Sequence, residues 1–242
     1  MPSPRSVSVV IPVKDDAALL ERCLAALKSQ TVAPIEVIVV DNGSSDDSAR
    51  VAALGGARVI SHPDGFIPAV AAAGLDAAIG DILARLDADC VPPTDWIEVI
   101  SNSMGDSDGI TGGSDFIDGP RWLRKPLALL YLGAYFASLY PALGHVPLFG
   151  SNLAVTRQGW LAVSGEVHRD DEMVHDDLDL SFHLGREHRI RFARGMAMGI
   201  SMRPFADAGA FWTRLRRGFH SVIIHWPHDL PWIRWTHRGR NH

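Results

Sequence analysis

Gly80-Asp-Ile-Leu-Ala-Arg-Leu-Asp-Ala-Asp89 is the stretch on which the reading of this chain turns. Asp81 to Leu86 is a short apolar run of strand length, and it ends on two carboxylates separated by one residue. Working back toward the N-terminus, the same kind of run recurs with helical spacing in between. Val7-Ser-Val-Val-Ile-Pro12 reads as a strand closed by proline, and Ala17 to Gln30, with Leu20, Leu24 and Leu27, reads as a helix. Ile35 to Val40 is a second β-branched run that stops at Asp41, after which Asn42-Gly-Ser-Ser-Asp46 offers turn and N-cap residues for a helix through about Ala53. Ala57 to Ser61 predicts a strand and Pro68 to Ala78 a helix. Parallel strands need crossover connections, so this alternation predicts an α/β fold with a mainly parallel central sheet flanked by helices. Ligands of such sheets sit beyond the carboxyl ends of the strands, which places Asp41 and Asp87 in one crevice.

The composition agrees with a chain that folds on its apolar core. Its 242 residues are 47% hydrophobic, and Cys23 and Cys90 alone offer neither a disulfide framework nor a cysteine-type metal spacing. No charged-then-apolar leader precedes the first strand, so the expected setting is cytoplasmic. Charge is unevenly spread: residues 1–185 hold twelve Lys and Arg against twenty-five Asp and Glu, residues 186–242 eleven Arg against three acids. That asymmetry suggests a C-terminal segment that meets something anionic. After residue 105 the pattern loosens, with no internal repeat and no disordered linker.

Two carboxylates one residue apart at a strand end can face a hydrated Mg²⁺ or Mn²⁺ that also takes diphosphate oxygens. A bare Asp-x-Asp is more often a solvated loop, and its context decides. The N-terminal half resembles the family 2 glycosyltransferases of the GT-A fold. Val7-Ser-Val-Val-Ile-Pro-Val13, Val39-Val-Asp-Asn-Gly-Ser-Ser-Asp-Asp-Ser48 and Gly80 to Asp89 carry the resemblance in the family's order. It implies a GT-A-type, Rossmann-like sandwich and an inverting transfer from a nucleoside-diphosphate sugar. It also implies Pro12 and Asp41 at the nucleotide and Asp87 and Asp89 at the metal and ribose. Phe149-Gly-Ser-Asn-Leu-Ala-Val-Thr-Arg157 is similar to the family's sugar- and acceptor-contacting loop and strand, which implies substrate roles for Gly150, Ser151 and Asn152; read alone it is a Gly-Ser turn before a strand. Asp176-Asp177-Leu178-Asp179-Leu180 resembles the family's acidic motif, with Asp177 as general base and Asp176 and Asp179 near the substrate; read alone these are acids that complement a helix N-terminus.

The chain departs from that pattern where the family commonly has an Arg-Asn pair before a glycine, since Ala72-Ala73-Gly74 stands there. His220, with His225 beside it in the C-terminal segment, is a candidate for a further metal ligand, and Arg216 and Arg217 for holding the donor diphosphate. The single GT-A-like domain expected over 1–242 divides into a nucleotide-binding half (1–105), an acceptor-side half with the base (106–210) and an Arg/Trp-rich segment (211–242). Pro126 to Gly144 has no Lys, Arg, Asp or Glu, but Pro141 and Gly144 are expected to stop its helix after about fourteen residues, near 21 Å, which predicts a buried or interfacial helix and not a span. Trp226, Trp232 and Trp235 among arginines suit an anionic membrane surface, as a peripheral contact at the inner face. The resemblance implies an acceptor hydroxyl on a saccharide, a lipid or lipid-linked molecule or a small metabolite, which no motif specifies further, and nothing points to nucleic acid. A dehydrogenase is disfavoured because no G-x-G-x-x-G follows the first strand, and Val13-Lys-Asp-Asp16 is not the Gly-rich phosphate loop of a nucleotidyltransferase. A non-catalytic nucleotide- or glycan-binding relative is the other alternative.

Overall fold

The computed structural model describes residues 5–203 and 208–238. Its first part is β1 (Val7–Val13), α1 (Ala17–Lys28), β2 (Glu36–Asp41), α2 (Ser48–Leu54), β3 (Arg58–Ser61), α3 (Ile67–Ala77) and β4 (Ile82–Arg85), each within two residues of the bounds its sequence predicts. Val9, Ile11 and Val13 face one side of the sheet and pack with Leu20, Leu24 and Leu27 of α1. Val10 faces the other side, where Ile38, Val40, Val70 and Leu75 cover it. Because side chains alternate along a strand and both faces are covered, these strands read as unbroken apolar runs.

The rest comprises α4 (Trp96–Met104), β5 (Gly109–Thr111), β6 (Asp115–Phe116), α5 (Arg121–Leu143), β7 (Leu153–Thr156), α6 (Arg157–Val163), α7 (Asp176–Leu184), β8 (Ile190–Phe192), β9 (Gly199–Ile200), α8 (Ala208–Ile223) and α9 (Pro231–Arg238). Seven strands form one sheet in the order β3-β2-β1-β4-β7-β5-β8, with β6 and β9 as a separate parallel pair. Strands from both sides of residue 105 therefore share the main sheet. Within it β7 alone runs antiparallel to its neighbours β4 and β5. β1 has β2 on one side and β4 on the other, both parallel to it, so the switch-point crevice opens at the carboxyl ends of β1 and β4.

The expected short apolar helix is corrected. α5 runs for 23 residues, about 34 Å, with Pro126 and Pro141 inside it. Each proline withholds one backbone donor near a helix end, and the helix closes only at Gly144, whose φ of +76° suits the left-handed cap position. Nor is it buried all round: Ala128, Leu132 and Leu143 face the domain, while Trp122, Leu129 and Leu130 are at least 70% exposed. It is the one helix among the described residues long and apolar enough to cross a membrane.

α3 lies so close to the sheet that a Cβ on Gly74 would overlap Val10 Cγ1 and sit 2.9 Å from Val40 Cγ2. Both valines are buried and β-branched, so neither can turn away cheaply. Gly74→Ala is expected to destabilise the fold by about 1–3 kcal/mol through overpacking, read as a lower urea midpoint at unchanged m.

Candidate active site

Topology gathers the acidic residues. Asp41 ends β2 and is 7% exposed, with Oδ1 accepting from Ser44 N at 3.3 Å; Pro12 sits beside Val40 in the β1–β2 register. The loops after β1 and β2 are tied together by Asp15 Oδ1, which accepts from Ser45 N at 2.7 Å and Ser45 Oγ at 3.0 Å. Asp87 and Asp89 leave the end of β4 at the switch point. Since β7 is antiparallel to β4, the turn Gly150–Asn152 that leads into it arrives at the same end.

That turn joins the two acidic motifs. Ser151 Oγ donates to Asp87 Oδ2 at 2.6 Å, and Gly150 N donates to Asp177 Oδ2 at 2.7 Å. Behind it lies Arg85, whose side chain is 7% exposed and whose Nη2 is 3.0 Å from Asp87 Oδ1 and 3.3 Å from Asp176 Oδ2. A Cβ on Gly150 would overlap Arg85 Nη1, which is why this position takes glycine. Burial pushes the Asp176 carboxyl up to about 6 against the pull of Arg85, with Asp177 and Asp87 raising it further. Tyr135 of α5 donates to Leu148 O at 2.6 Å and stands 3.5 Å from Asp177 Oδ2. Ala71 and Ala72 of α3 line a small cleft opposite Arg85, Asp176 and Asp177, so a cation faces that cleft from β4 where the family's Arg-Asn pair is missing from α3.

A second guanidinium crosses the crevice. Arg203 donates through Nε and Nη2 to Asp89 Oδ2 at 3.2 and 2.9 Å, and to Asp16 at 2.7 and 3.0 Å. It is brought there by β9, because Gly199 and Val91 exchange both backbone hydrogen bonds just past the Asp-x-Asp loop. Burial and the neighbouring Asp87 raise the pKa of Asp89, against the opposing pull of Arg203. Oxygens of Asp87 and Asp89 lie with Cys90 Sγ within 4.8 Å of one another. Two crowded carboxylates already drawing guanidinium stand-ins fit a hard divalent cation whose other ligands come from water and diphosphate.

Three sequence expectations are corrected here. Asn152 is fully buried, with Oδ1 accepting from Trp96 Nε1 and Nδ2 donating to Gly113 O and Met196 O, so it holds the turn and has no face left for a substrate. Asp179 is 1% exposed and faces His168, His183 and His225, with His168 Nδ1 2.7 Å from its Oδ1. His220 pairs through Nε2 with Asp171 Oδ2 at 2.7 Å, outside the Asp87–Asp89 cluster. Arg216 is exposed on α8 and Arg217 reaches Glu172 at 3.4 Å, while the cation that meets Asp89 is Arg203. Sequence reading missed Arg85, Arg203 and Tyr135. Of these only Arg85 carries a local signal, a lone cation inside a buried strand.

The profile of glycosyl transferase family 2 matches residues 8–161, which contain Asp41, Asp87, Asp89 and the Gly150–Asn152 turn. The chain belongs to glycosyl transferase family 2. Glycosyltransferase AglE of Haloferax volcanii is 35% identical over 117 residues, covering 45% of this chain and 38% of the relative. Pre-mycofactocin glycosyltransferase of Mycobacterium tuberculosis is 41% identical over 103 residues, 40% of this chain and 20% of the relative. The family 2 chain thus spans well under half the length of these relatives. Its fold is similar to that of glucosyl-3-phosphoglycerate synthase from Mycobacterium tuberculosis, at a TM-score of 0.60 and 20% identity over 91% of this chain and 79% of that one.

Removing the buried cation from this family 2 site leaves carboxylates facing one another. Arg85→Met is expected to cost about 3–5 kcal/mol at pH 7.5. In the folded variant Asp176 keeps a pKa above its unfolded value of 3.8, so the folded state binds a proton that the unfolded chain does not. The loss is therefore largest above pH 7 and shrinks as the pH falls toward 5, which thermal or urea midpoints measured across that range will read.

Proposed function

We propose that this chain is an inverting glycosyltransferase that moves a sugar from a nucleoside-diphosphate sugar to a hydroxyl of a saccharide, lipid or small-metabolite acceptor. The observation that carries the proposal is the Gly150-Ser151 turn, which holds Asp177 by its backbone N–H and Asp87 by its hydroxyl at one strand end. An acid suited to deprotonate an acceptor and acids suited to a donor's metal thus flank a single crevice. The glucosyl-3-phosphoglycerate synthase structure described with Mn²⁺, uridine-diphosphate-glucose and phosphoglyceric acid has the same fold, at a TM-score of 0.55. That similarity supports the donor class.

In this reading Asp41 holds the nucleoside, with Pro12 beside it, and Asp87 and Asp89 hold Mn²⁺ or Mg²⁺. The ion, when bound, neutralises charge growing on the departing diphosphate. With an ion held by Asp87 and Asp89, Arg203 would be free of Asp89 and could pair with diphosphate oxygens from the rim. Asp177 takes the acceptor's proton as the hydroxyl attacks the anomeric carbon from the face opposite the leaving group. Gly150 N–H and the helix N-terminus of α7 keep that carboxylate aimed. Asp176, paired with Arg85, sets the charge beside it.

Calorimetric titration with UDP, GDP, CDP and dTDP, with and without Mn²⁺, tests the donor site. One nucleotide is expected to bind with metal and to lose at least about tenfold in affinity in Asp89→Ala. Asp177→Asn is expected to keep that binding and to lose about 10²–10⁴-fold in transfer. Metal-independent binding, or full turnover in Asp177→Asn, would overturn the assignment.

α8 also favours a membrane-proximal acceptor. Trp212, Leu215 and Phe219 are each more than half exposed on it, interleaved with exposed Arg214 and Arg216. Indoles and guanidinium groups mixed in this way suit anionic headgroups. Co-sedimentation with phosphatidylglycerol vesicles is expected for the wild-type chain and is expected to fall several-fold in the Arg214→Glu/Arg216→Glu variant. Equal binding by both, or none by either, would reject the contact.

A further inference from the structure

Behind the first turn of α7 lies a cluster that the proposed transfer does not use. Asp179 and His183 stand one turn apart on α7, His225 follows the end of α8, and His168 comes from the segment between α6 and α7. His168 Nδ1, His225 Nε2 and His183 Nε2 stand 2.7, 3.1 and 3.4 Å from the same oxygen, Asp179 Oδ1. Asp179, His183 and His225 are 1%, 6% and 5% exposed.

The outer nitrogens fix what the inner ones present. His225 Nδ1 lies 2.7 Å from Ser221 O, an oxygen that can only accept, so this nitrogen carries the proton and Nε2 turns inward with a lone pair when the ring is neutral. His183 Nδ1 faces Glu166 Oε2 at 3.3 Å, again leaving Nε2 inward. Both inward nitrogens are buried and have no hydrogen-bond partner of acceptable geometry. One carboxylate oxygen cannot serve three imidazoles, and the other, Oδ2, already accepts from His168 N at 2.8 Å. Ligating histidines characteristically send the other ring N–H to a carbonyl or carboxylate, which is the arrangement of His225 and His183.

We propose that His168 Nδ1, His183 Nε2, His225 Nε2 and Asp179 Oδ1 bind a zinc-type divalent ion. Three imidazoles and one carboxylate make a closed tetrahedral donor set, the form taken by structural zinc. The four donor atoms lie within 4.8 Å of one another, and bonds of about 2.0–2.1 Å put tetrahedral ligands roughly 3.3 Å apart, close to the separations of His183 and His225 from Asp179. His168 is nearer, but its side chain is 40% exposed and free to swing outward. Nitrogen-rich and buried, this site differs in kind from the open, oxygen-rich pair Asp87 and Asp89. Its ion fastens α7, which carries Asp176 and Asp177, to the end of α8 and to the segment at His168. The inference stands whether or not the proposed transfer is correct.

The test uses the full chain, stripped with chelator and titrated with Zn²⁺ against a chromophoric competitor, and separately with Co²⁺. Wild-type protein and Asp87→Ala/Asp89→Ala are both expected to take up one tight Zn²⁺, to show the visible absorption of tetrahedral Co²⁺, and to melt at higher temperature with zinc. His183→Gln and His225→Gln are expected to weaken Zn²⁺ by at least about 100-fold, and Glu166→Gln by about tenfold. The proposal is overturned if wild-type protein binds no Zn²⁺, if Co²⁺ gives an octahedral spectrum, or if zinc is lost with Asp87 and Asp89 but kept without the histidines. Should a histidine variant fail to fold, the wild-type Co²⁺ spectrum and the Asp87→Ala/Asp89→Ala variant still decide.

Discussion

A guanidinium buried in the last residue of β4 sets the geometry around it. Arg85 cannot be left without counter-charge in a side chain only 7% exposed, and its partners come from two places, Asp87 just beyond its own strand and Asp176 at the start of α7. Satisfying both brings the first turn of α7 against the sheet end. The Gly150 turn then has to pass where a Cβ would strike the guanidinium, so the chain there is glycine, and its N–H is left pointing at Asp177. One buried cation therefore specifies the separation between the acids at the strand end and the acid on the helix.

The uneven charge along the chain finds much of its answer within the molecule. Arg203 meets Asp16 and Asp89, Arg189 meets Asp106, Arg217 meets Glu172, and Arg186 and Arg234 share Asp229. Arg234 is buried and also donates to Leu143 O and Phe182 O, which secures α9 to the end of α5 and to α7. These cations are fold-forming, and the surplus that faces solvent narrows to residues such as Arg214 and Arg216 on α8. Pairing of this kind is cheap at the surface and demanding when buried, so Arg234 and Arg85 constrain the structure far more than Arg189 does.

The first half of the fold was legible because its strands are buried on both faces and separated by helices with clear apolar spacing. β1 and β2 announce themselves in six or seven residues, whereas β5, β6, β8 and β9 have two or three each and take their pairing from distant partners. α5 hid its length because Pro126 and Pro141 read as stops, although at a helix end a proline removes only one bond. In the site, Asp41, Asp87 and Asp89 were legible as acids terminating apolar runs, and Asp177 as part of an acidic helix start. Arg203 was not, since it lies 114 residues from Asp89 and is delivered by a two-residue strand. Nor was the true environment of Asp179, which differs from that of Asp177 only by which way the helix turns it.

That turn resolves a conflict the sequence poses openly. Three carboxylates in four residues would repel one another if they shared a face, even at a helix N-terminus that favours negative charge. Successive α-helical residues rotate by about 100°, so positions two apart point to nearly opposite sides. Asp177 faces the Gly150 turn and the crevice, while Asp179 faces the histidines behind it. The acids are thereby divided between two polar environments, the Arg85 guanidinium in front and the imidazoles behind. A helix placed between them is held from both sides, with Asp177 fixed against the Gly150 turn and Asp179 against the histidines.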